Sequence, residues 1–352
     1  MPVNSISSST ISTILQNTVT RLQSQLTTTS SESSTGLRAD IGLTLGANAG
    51  QDVAMHAQMA DLAALTASNA VVTAQLGSAS DALTSLSSTT QTMLEQIIQN
   101  QSETAGSNGA QALQQNAAAA LSTFSSLMNT SSGGVYVFGG LNSGVAPIAQ
   151  YAQTPPSAAQ KAVDAAFQST FGFPVTSASV STISGAAMTS FLNTQFAGLF
   201  SGANWTSNWS SASNTATSNR IGVNQTVTAS ISANQSAFQD TAQALTMISE
   251  FGGLNLSSDA MAALMTSAQK VMTSANNGLI QASATVGTMQ NQVTQANSAI
   301  SLQQNVLTSQ LGANESVNSY DVASQVSALT TQLQTAYSLT AQIAKLSLVK
   351  FL

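Results

Sequence analysis

The chain has one side chain suited to act as a general base near neutral pH, His56 in DVAMHAQMADL, and no cysteine to serve as nucleophile or thiolate ligand. Ser–His–Asp and Cys–His schemes need a base held beside a nucleophile. His56 therefore reads as a residue on a helix surface or seam. Metal sites need several His, Cys or carboxylate ligands brought together. The thirteen acidic residues are scattered, with Asp52 and Asp61 nine apart and Asp240 and Glu250 ten apart. No spacing puts two carboxylates on one helical turn, so the expectation is no catalytic, cofactor or metal site. An enzyme reading would need a pocket that gathers Asp164, Arg220 and Asp240. FGGLNSG at 138–144 is glycine-rich but lacks the P-loop lysine and the GxGxxG spacing, and it reads as a turn. Trp205 and Trp209 in NWTSNWSSAS stand one helical turn apart. They could stack on a sugar or a partner, but the reading adopted is the core of a small domain.

Composition narrows the classes further. Charged residues make up 6% of the 352 positions and the net charge is −6, against about 25% charged residues in ordinary soluble domains. Residues 104–219 carry only Lys161 and Asp164 as charges. No basic patch exists to neutralise phosphates, which argues against nucleic-acid binding. No run of apolar residues is long enough to span a bilayer, and the opening MPVNSISSSTISTILQ lacks the basic start and apolar block of a secretory signal. Ser, Thr, Asn and Gln take the polar positions. A monomer with so few charges has little protection against self-association, whereas a subunit covered by neighbours needs less.

Two residue types divide the chain. Apart from Pro2, every proline lies between Pro147 and Pro174, and 14 of the 17 aromatic residues fall between Phe124 and Phe251. Proline-free, aromatic-poor flanks suit long helices, and the middle suits a compact region with turns. In the first flank, steps of three and four connect Leu62, Leu65, Asn69, Val72, Leu76, Ala79, Leu83, Leu86, Thr90, Met93 and Ile97. A sustained 3.5-residue period marks long helices packed at a shallow angle. A second stripe runs from Leu113 through Phe124 to Leu127 and stops at SSGG, 131–134. The other flank repeats the pattern from Met261, with Ser257, Ser258 or Asp259 as N-cap, through Val271 and Ala275. It drifts near Ala282 and resumes from Val286 to Leu307. The periodicity predicts helices over 45–99 and 258–310, each roughly 80 Å long at 1.5 Å per residue.

In the middle, GGVYVFGGLNSGVAPI (133–148) predicts a short strand, a Gly-Asn turn and a return. Residues 157–173 and 187–200 predict short aromatic-faced helices, and 222–236 alternates like a strand. The predicted fold is mainly α: a long-helix coiled-coil rod built from both chain ends, with a small inserted mixed α/β middle domain. Its segments are 1–42 (N-terminal helix), 43–144 (first half of the rod), 145–220 (inserted outer domain), 221–310 (second half of the rod) and 311–352 (C-terminal helix).

The two extremities carry the remaining apolar pattern. Ile11, Leu15, Val19, Leu22 and Leu26 stand at helical spacing, yet 18 of the first 35 residues are Ser or Thr, which are poor helix formers. Val322, Val326, Leu329, Leu333, Ala336, Thr340 and Ile343 form a third seam, with Leu339, Leu346 and Leu348 as a second apolar edge. Both ends are expected to be disordered in the free subunit and to fold on assembly. Ile11, Leu15, Val19, Leu22, Val326, Leu329, Leu333, Ile343, Leu346, Leu348, Phe351 and Leu352 are the candidate assembly residues.

These features resemble the flagellin-like axial proteins of bacterial flagella. TTQLQTAYSLTAQIAKLSLVKFL is similar to the end of the hook–filament junction (hook-associated protein 3) branch. Leu346, Ser347, Leu348, Phe351 and Leu352 match its leucine-rich closing run, while Lys350 departs from the usual acid. Tyr136, Phe138, Gly139, Gly140, Pro147 and Ile148 match that branch's YLFGGT…PPI segment. SSTGLRADIGLTLGANAGQ at 33–51 resembles the alphaproteobacterial form. The resemblance implies a non-catalytic structural component of the extracellular flagellum, assembled by helix–helix contact into a homo-oligomeric junction ring between hook and filament. It implies as partners a neighbouring hook-associated protein, flagellin, an export chaperone and the type III export apparatus, with no cofactor, nucleic acid or membrane insertion. Flagellin itself is the alternative, and a secreted helical protein of a type III export system is a more distant one.

Overall fold

A computed structural model describes residues 8–102 and 107–349. In chain order the α-helices are α1 (Ser8–Thr35), α2 (Ile41–Leu45), α3 (Ala49–Ser102), α4 (Ser107–Met128), α5 (Ala158–Phe171), α6 (Gly185–Phe191), α7 (Gly202–Asn208), α8 (Ser236–Phe251), α9 (Ser258–Glu315) and α10 (Ser319–Val349). Two small antiparallel hairpins complete the set: β1 (Ser131–Ser132) with β2 (Val135–Tyr136), and β3 (Ser218–Gly222) with β4 (Gln225–Thr228). The fold is mainly α, with long helices contributed by both ends of the chain and a small mixed region between them. Two compact units form: residues 1–62 with 301–352, and residues 63–300.

In the larger unit, α3 and α9 run antiparallel. Asn69 Nδ2 donates to Asn297 Oδ1 at 2.7 Å, and Ser87 Oγ meets Asn276 Oδ1 at 3.4 Å. The sequence seam is the packed face: of its eleven residues only Leu65 is partly exposed. Its two polar positions find partners, although Asn69 Oδ1 itself has none among the described residues. Asn69 Nδ2 also donates to the Ile221 carbonyl at 2.8 Å, and Thr90 Oγ1 donates to the Ser87 carbonyl. A buried polar residue at one seam position fixes which residues face each other along a helix pair. The α9 stripe does not drift at Ala282. The buried line runs through Met272, Ala275, Leu279, Ala282 and Val286, because Met272 rather than the half-buried Val271 is the inward residue. Ser257 is the N-cap of α9, its Oγ accepting from Ala260 N.

Residues 145–220 share one hydrophobic core with both flanks. Helix α8 lies at its centre, with Ala242, Ala244, Leu245, Met247, Ile248 and Phe251 fully buried. Phe251 touches Phe167, Phe191 and Phe196 at ring separations of 5.4–5.7 Å. Such pairs contribute about 0.5–1.5 kcal/mol each beyond the area they bury, and their clustering around one helix explains why aromatic residues are confined to the middle of the sequence. After α6 the chain winds through a π turn, Leu192–Phe196, and a 3-10 turn, Ala197–Phe200. This irregular winding buries Phe191, Leu192, Phe196 and Phe200 together. Trp205 and Trp209 stack at 5.6 Å inside the same core, as the sequence reading required.

The turns differ from expectation in two places. The first hairpin turns at Gly133–Gly134, with φ of 61° and 84°, the paired positive angles of a tight two-residue hairpin. Residues 140–142 form a 3-10 turn instead of a strand reversal. The alternating stretch from 222 is not one strand: the chain reverses between Gly222 and Gln225. Ala229 and Ile231 continue the alternation as buried residues beyond the ladder.

Partly desolvated carboxyls give the larger unit a pH dependence, as Glu250 illustrates. Burial pushes the Glu250 carboxyl above the usual range, the neighbouring Tyr151 hydroxyl partly offsets this, and Asp164 adds to the rise. A folded-state pKa above the unfolded one means that the folded state holds the proton more tightly. Stability is therefore fullest below the unfolded value and falls as pH rises through the folded one. Glu250→Gln is expected to raise the thermal midpoint at pH 7 by a few degrees and to leave it unchanged near pH 3, as measured by calorimetry at both pH values.

Candidate assembly interface

The smaller unit is built from α1, α2, the start of α3, the end of α9, and α10. Helices α1 and α10 pack antiparallel. Gln23 Nε2 and Tyr337 Oη lie 2.7 Å apart midway along the pair. Where α1 ends and α10 begins, Arg38 N donates to the Glu315 carbonyl at 2.8 Å and Val317 N donates to the Gly36 carbonyl at 3.0 Å. Two main-chain bonds thus hold residues 36–38 against residues 315–317.

The candidate residues lie mainly along this helix pair. Leu22 is buried between the helices, with Thr29, Val322 and Ala336. Leu15, Val19, Val326, Leu329, Leu333 and Ile343 are half-buried. Ile11 is 37% exposed, at the outer edge. Leu346 and Leu348 belong to α10, and the predicted roles of Phe351 and Leu352 fall outside the described residues. An open groove between the helices is lined by Leu15, Leu22, Ala336 and Leu339, with Arg21 at its margin.

Burial in this unit is incomplete. Ten of the sixteen exposed large hydrophobic side chains among the described residues lie in residues 1–62 and 301–352, the smaller of the two units. They include Ile14, Tyr337 and Leu339 beside the groove. Two helices can cover only one stripe each, so an apolar surface wider than one stripe stays wet unless other helices join.

Many hydroxyls of both helices bond back to their own helix. In α1, Thr18, Thr20, Thr27, Thr28, Thr29 and Thr35 each donate to the carbonyl four residues earlier. In α10, Ser327, Thr330, Thr331, Thr335 and Thr340 do the same. This pattern mildly disfavours an isolated helix.

Among the described residues, the ion pairs are those of His56 with Glu315 at 2.5 Å and with Asp52 at 3.8 Å. The hydrogen bond to Glu315 raises the His56 pKa above its ordinary value, desolvation opposes the rise, and the charges of Glu315 and Asp52 reinforce it. Sequence reading put His56 on a helix surface, and its side chain is indeed 56% exposed. The reading missed Glu315, which lies 259 positions away. The one local signal was the i, i+4 spacing of Asp52 and His56. Asp164, Arg220 and Asp240 are engaged separately: Asp164 lies near Glu250, Arg220 donates to the carbonyls of Gly222 and Val223, and Asp240 accepts from Ser274. No helix among the described residues is long and apolar enough to cross a membrane.

Comparison with known proteins agrees with this layout. Residues 6–143 match the bacterial flagellin N-terminal helical region, and residues 269–352 match the bacterial flagellin C-terminal helical region. No curated protein matches the chain. Among solved structures, the fold is similar to that of a Vibrio parahaemolyticus protein assigned as flagellar hook-associated. The two share 9% identity over 76% of this chain and 97% of the other, with a TM-score of 0.53.

Proposed function

Because the chain belongs to the flagellin-like superfamily and is a structural component of the flagellum, we propose that it forms the junction ring between hook and filament. The observation that carries the assembly reading is the α1–α10 pair, which buries one stripe and leaves Ile11, Ile14, Tyr337 and Leu339 exposed. Terminal helices from neighbouring copies cover that surface, through Leu15, Val19, Val326, Leu329, Leu333, Ile343 and the closing run Leu346, Leu348, Phe351 and Leu352, while Leu22 is already buried within the pair. Before export both ends are unfolded. This suits export through a narrow type III channel, with a chaperone holding the C-terminal helix. Once outside, the subunit meets a hook-associated neighbour on one side and flagellin-type subunits on the other, and no catalysis is involved.

The junction role over a filament role rests on sequence. The opening VNSISSSTIS and the closing LSLVKFL depart from the usual flagellin ends and resemble the junction branch more. Immunogold labelling of intact flagella separates the two readings. The expected result is one narrow band at the hook–filament boundary. Label along the whole filament would overturn the junction role and favour flagellin.

A further inference from the structure

The His56 cluster sits where the end of α9 meets the junction of α1 and α10, and it has the make-up of a ligand set. Asp52 and His56 share one face of α3, one turn apart, and Glu315 closes α9 opposite them. Their ligand atoms, one imidazole nitrogen and two carboxylate oxygens, lie within 4.8 Å of one another. A second observation concerns Asp52 alone. Its side chain is 4% exposed; it accepts a long hydrogen bond from Asn314 Nδ2 at 3.5 Å and lies 3.8 Å from His56 Nε2. A buried carboxylate whose partners stand this far off is weakly compensated, and Asp52 shares its face of α3 with His56. We propose that Asp52, His56 and Glu315 bind one divalent cation of the zinc type, independently of the junction role.

The donor set selects the ion. One nitrogen with two oxygens suits a borderline cation such as Zn²⁺ better than Ca²⁺ or Mg²⁺, which prefer oxygen-only shells. Zinc–ligand bonds of about 2.0–2.2 Å place tetrahedral ligand atoms roughly 3.4 Å apart. The His56–Glu315 separation of 2.5 Å must open and the His56–Asp52 separation of 3.8 Å must close slightly. The exposed His56 ring can make both adjustments. The imidazole gives up its shared proton to solvent, Nε2 takes the cation, and water fills the fourth position. The cation offsets the charge of buried Asp52 and ties the start of α3 to the end of α9 within the smaller unit.

The test uses the full chain without a histidine tag, titrated with Zn²⁺ alone by calorimetry, with imidazole NMR in parallel. His56 is the sole histidine, so its ring signals report the site directly. The expected result is one Zn²⁺ per chain with a Kd in the micromolar range, a shift of the His56 ring nitrogen to its metal-bound position, and no response to Mg²⁺. His56→Ala and Glu315→Gln are expected to weaken binding at least tenfold, with unchanged circular dichroism. Asp52→Asn gives a second variant should Glu315→Gln disturb folding. Absence of saturable binding, or binding that survives His56→Ala unchanged, overturns the proposal.

Discussion

A chain lacking residues 337–352 stays soluble, keeps the larger unit folded, and no longer enters the flagellum. The deletion removes Tyr337, the partner of Gln23, and Leu339, which lines the groove with Leu15. It also removes Ile343 and the LSLVKFL run. Helix α1 then loses the cover over its first half and cannot hold an ordered stripe. Nothing in residues 63–300 loses a partner within its own unit, so the main calorimetric transition is expected within about 3 °C of the intact chain, a shift of order 1 kcal/mol at this size. Incorporation and swimming, measured by complementing a deletion strain, are expected to fall to background. A truncated chain that still assembled and restored motility would refute the account of the terminal helices.

Gly140→Ala is expected to be the most damaging small substitution in the larger unit. Gly140 has a φ of +59°, and a β-carbon there would stand 2.6 Å from the Ser213 carbonyl oxygen and 2.8 Å from that of Thr215. Both obstacles are main chain, held in place by Ser213 N donating to the Gly139 carbonyl and Leu141 N donating to that of Thr215. The left-handed angle costs roughly 1–2 kcal/mol for a side-chain-bearing residue, and overpacking adds about 1–3 kcal/mol. A loss of about 3 kcal/mol corresponds to a midpoint lower by on the order of 10 °C. Gly144→Ala, in the same motif, meets nothing within 4 Å and is the matched control, with no expected change. A Gly140→Ala midpoint within 2 °C of the parent chain would show that residues 213–215 yield freely.

The long elements were legible because a 3.5-residue period over eleven seam positions has few other structural solutions, and α3 realises it. The irregular middle was less legible. The turn at Gly133–Gly134 came earlier than predicted, and one apparent strand became a hairpin, because short turns depend on local φ angles more than on hydrophobic alternation. Trp205 and Trp209 were placed correctly by their spacing. Their burial depends on Phe200 and Tyr151, whose rings lie 5.2 Å from Trp209, and no local pattern announces those partners. The Asp52–His56–Glu315 cluster escaped for the same reason. Two of its members stand one turn apart, but the third arrives only when α9 folds back along α3. The central helix α8 was also missed as an element in its own right, since residues 221–310 were read together as one half of the rod.

The self-bonded hydroxyls of α1 and α10 bear on what can lie over them. A lysine or glutamate covered by another molecule forfeits its hydration shell and needs an opposite charge in return. A threonine whose proton already rests on its own helix leaves no orphaned donor when water is expelled. Surfaces tiled this way can be sealed, reopened and sealed in a different rotational setting without matching partner to partner, so tight stacking and tolerance of sliding become compatible in one material.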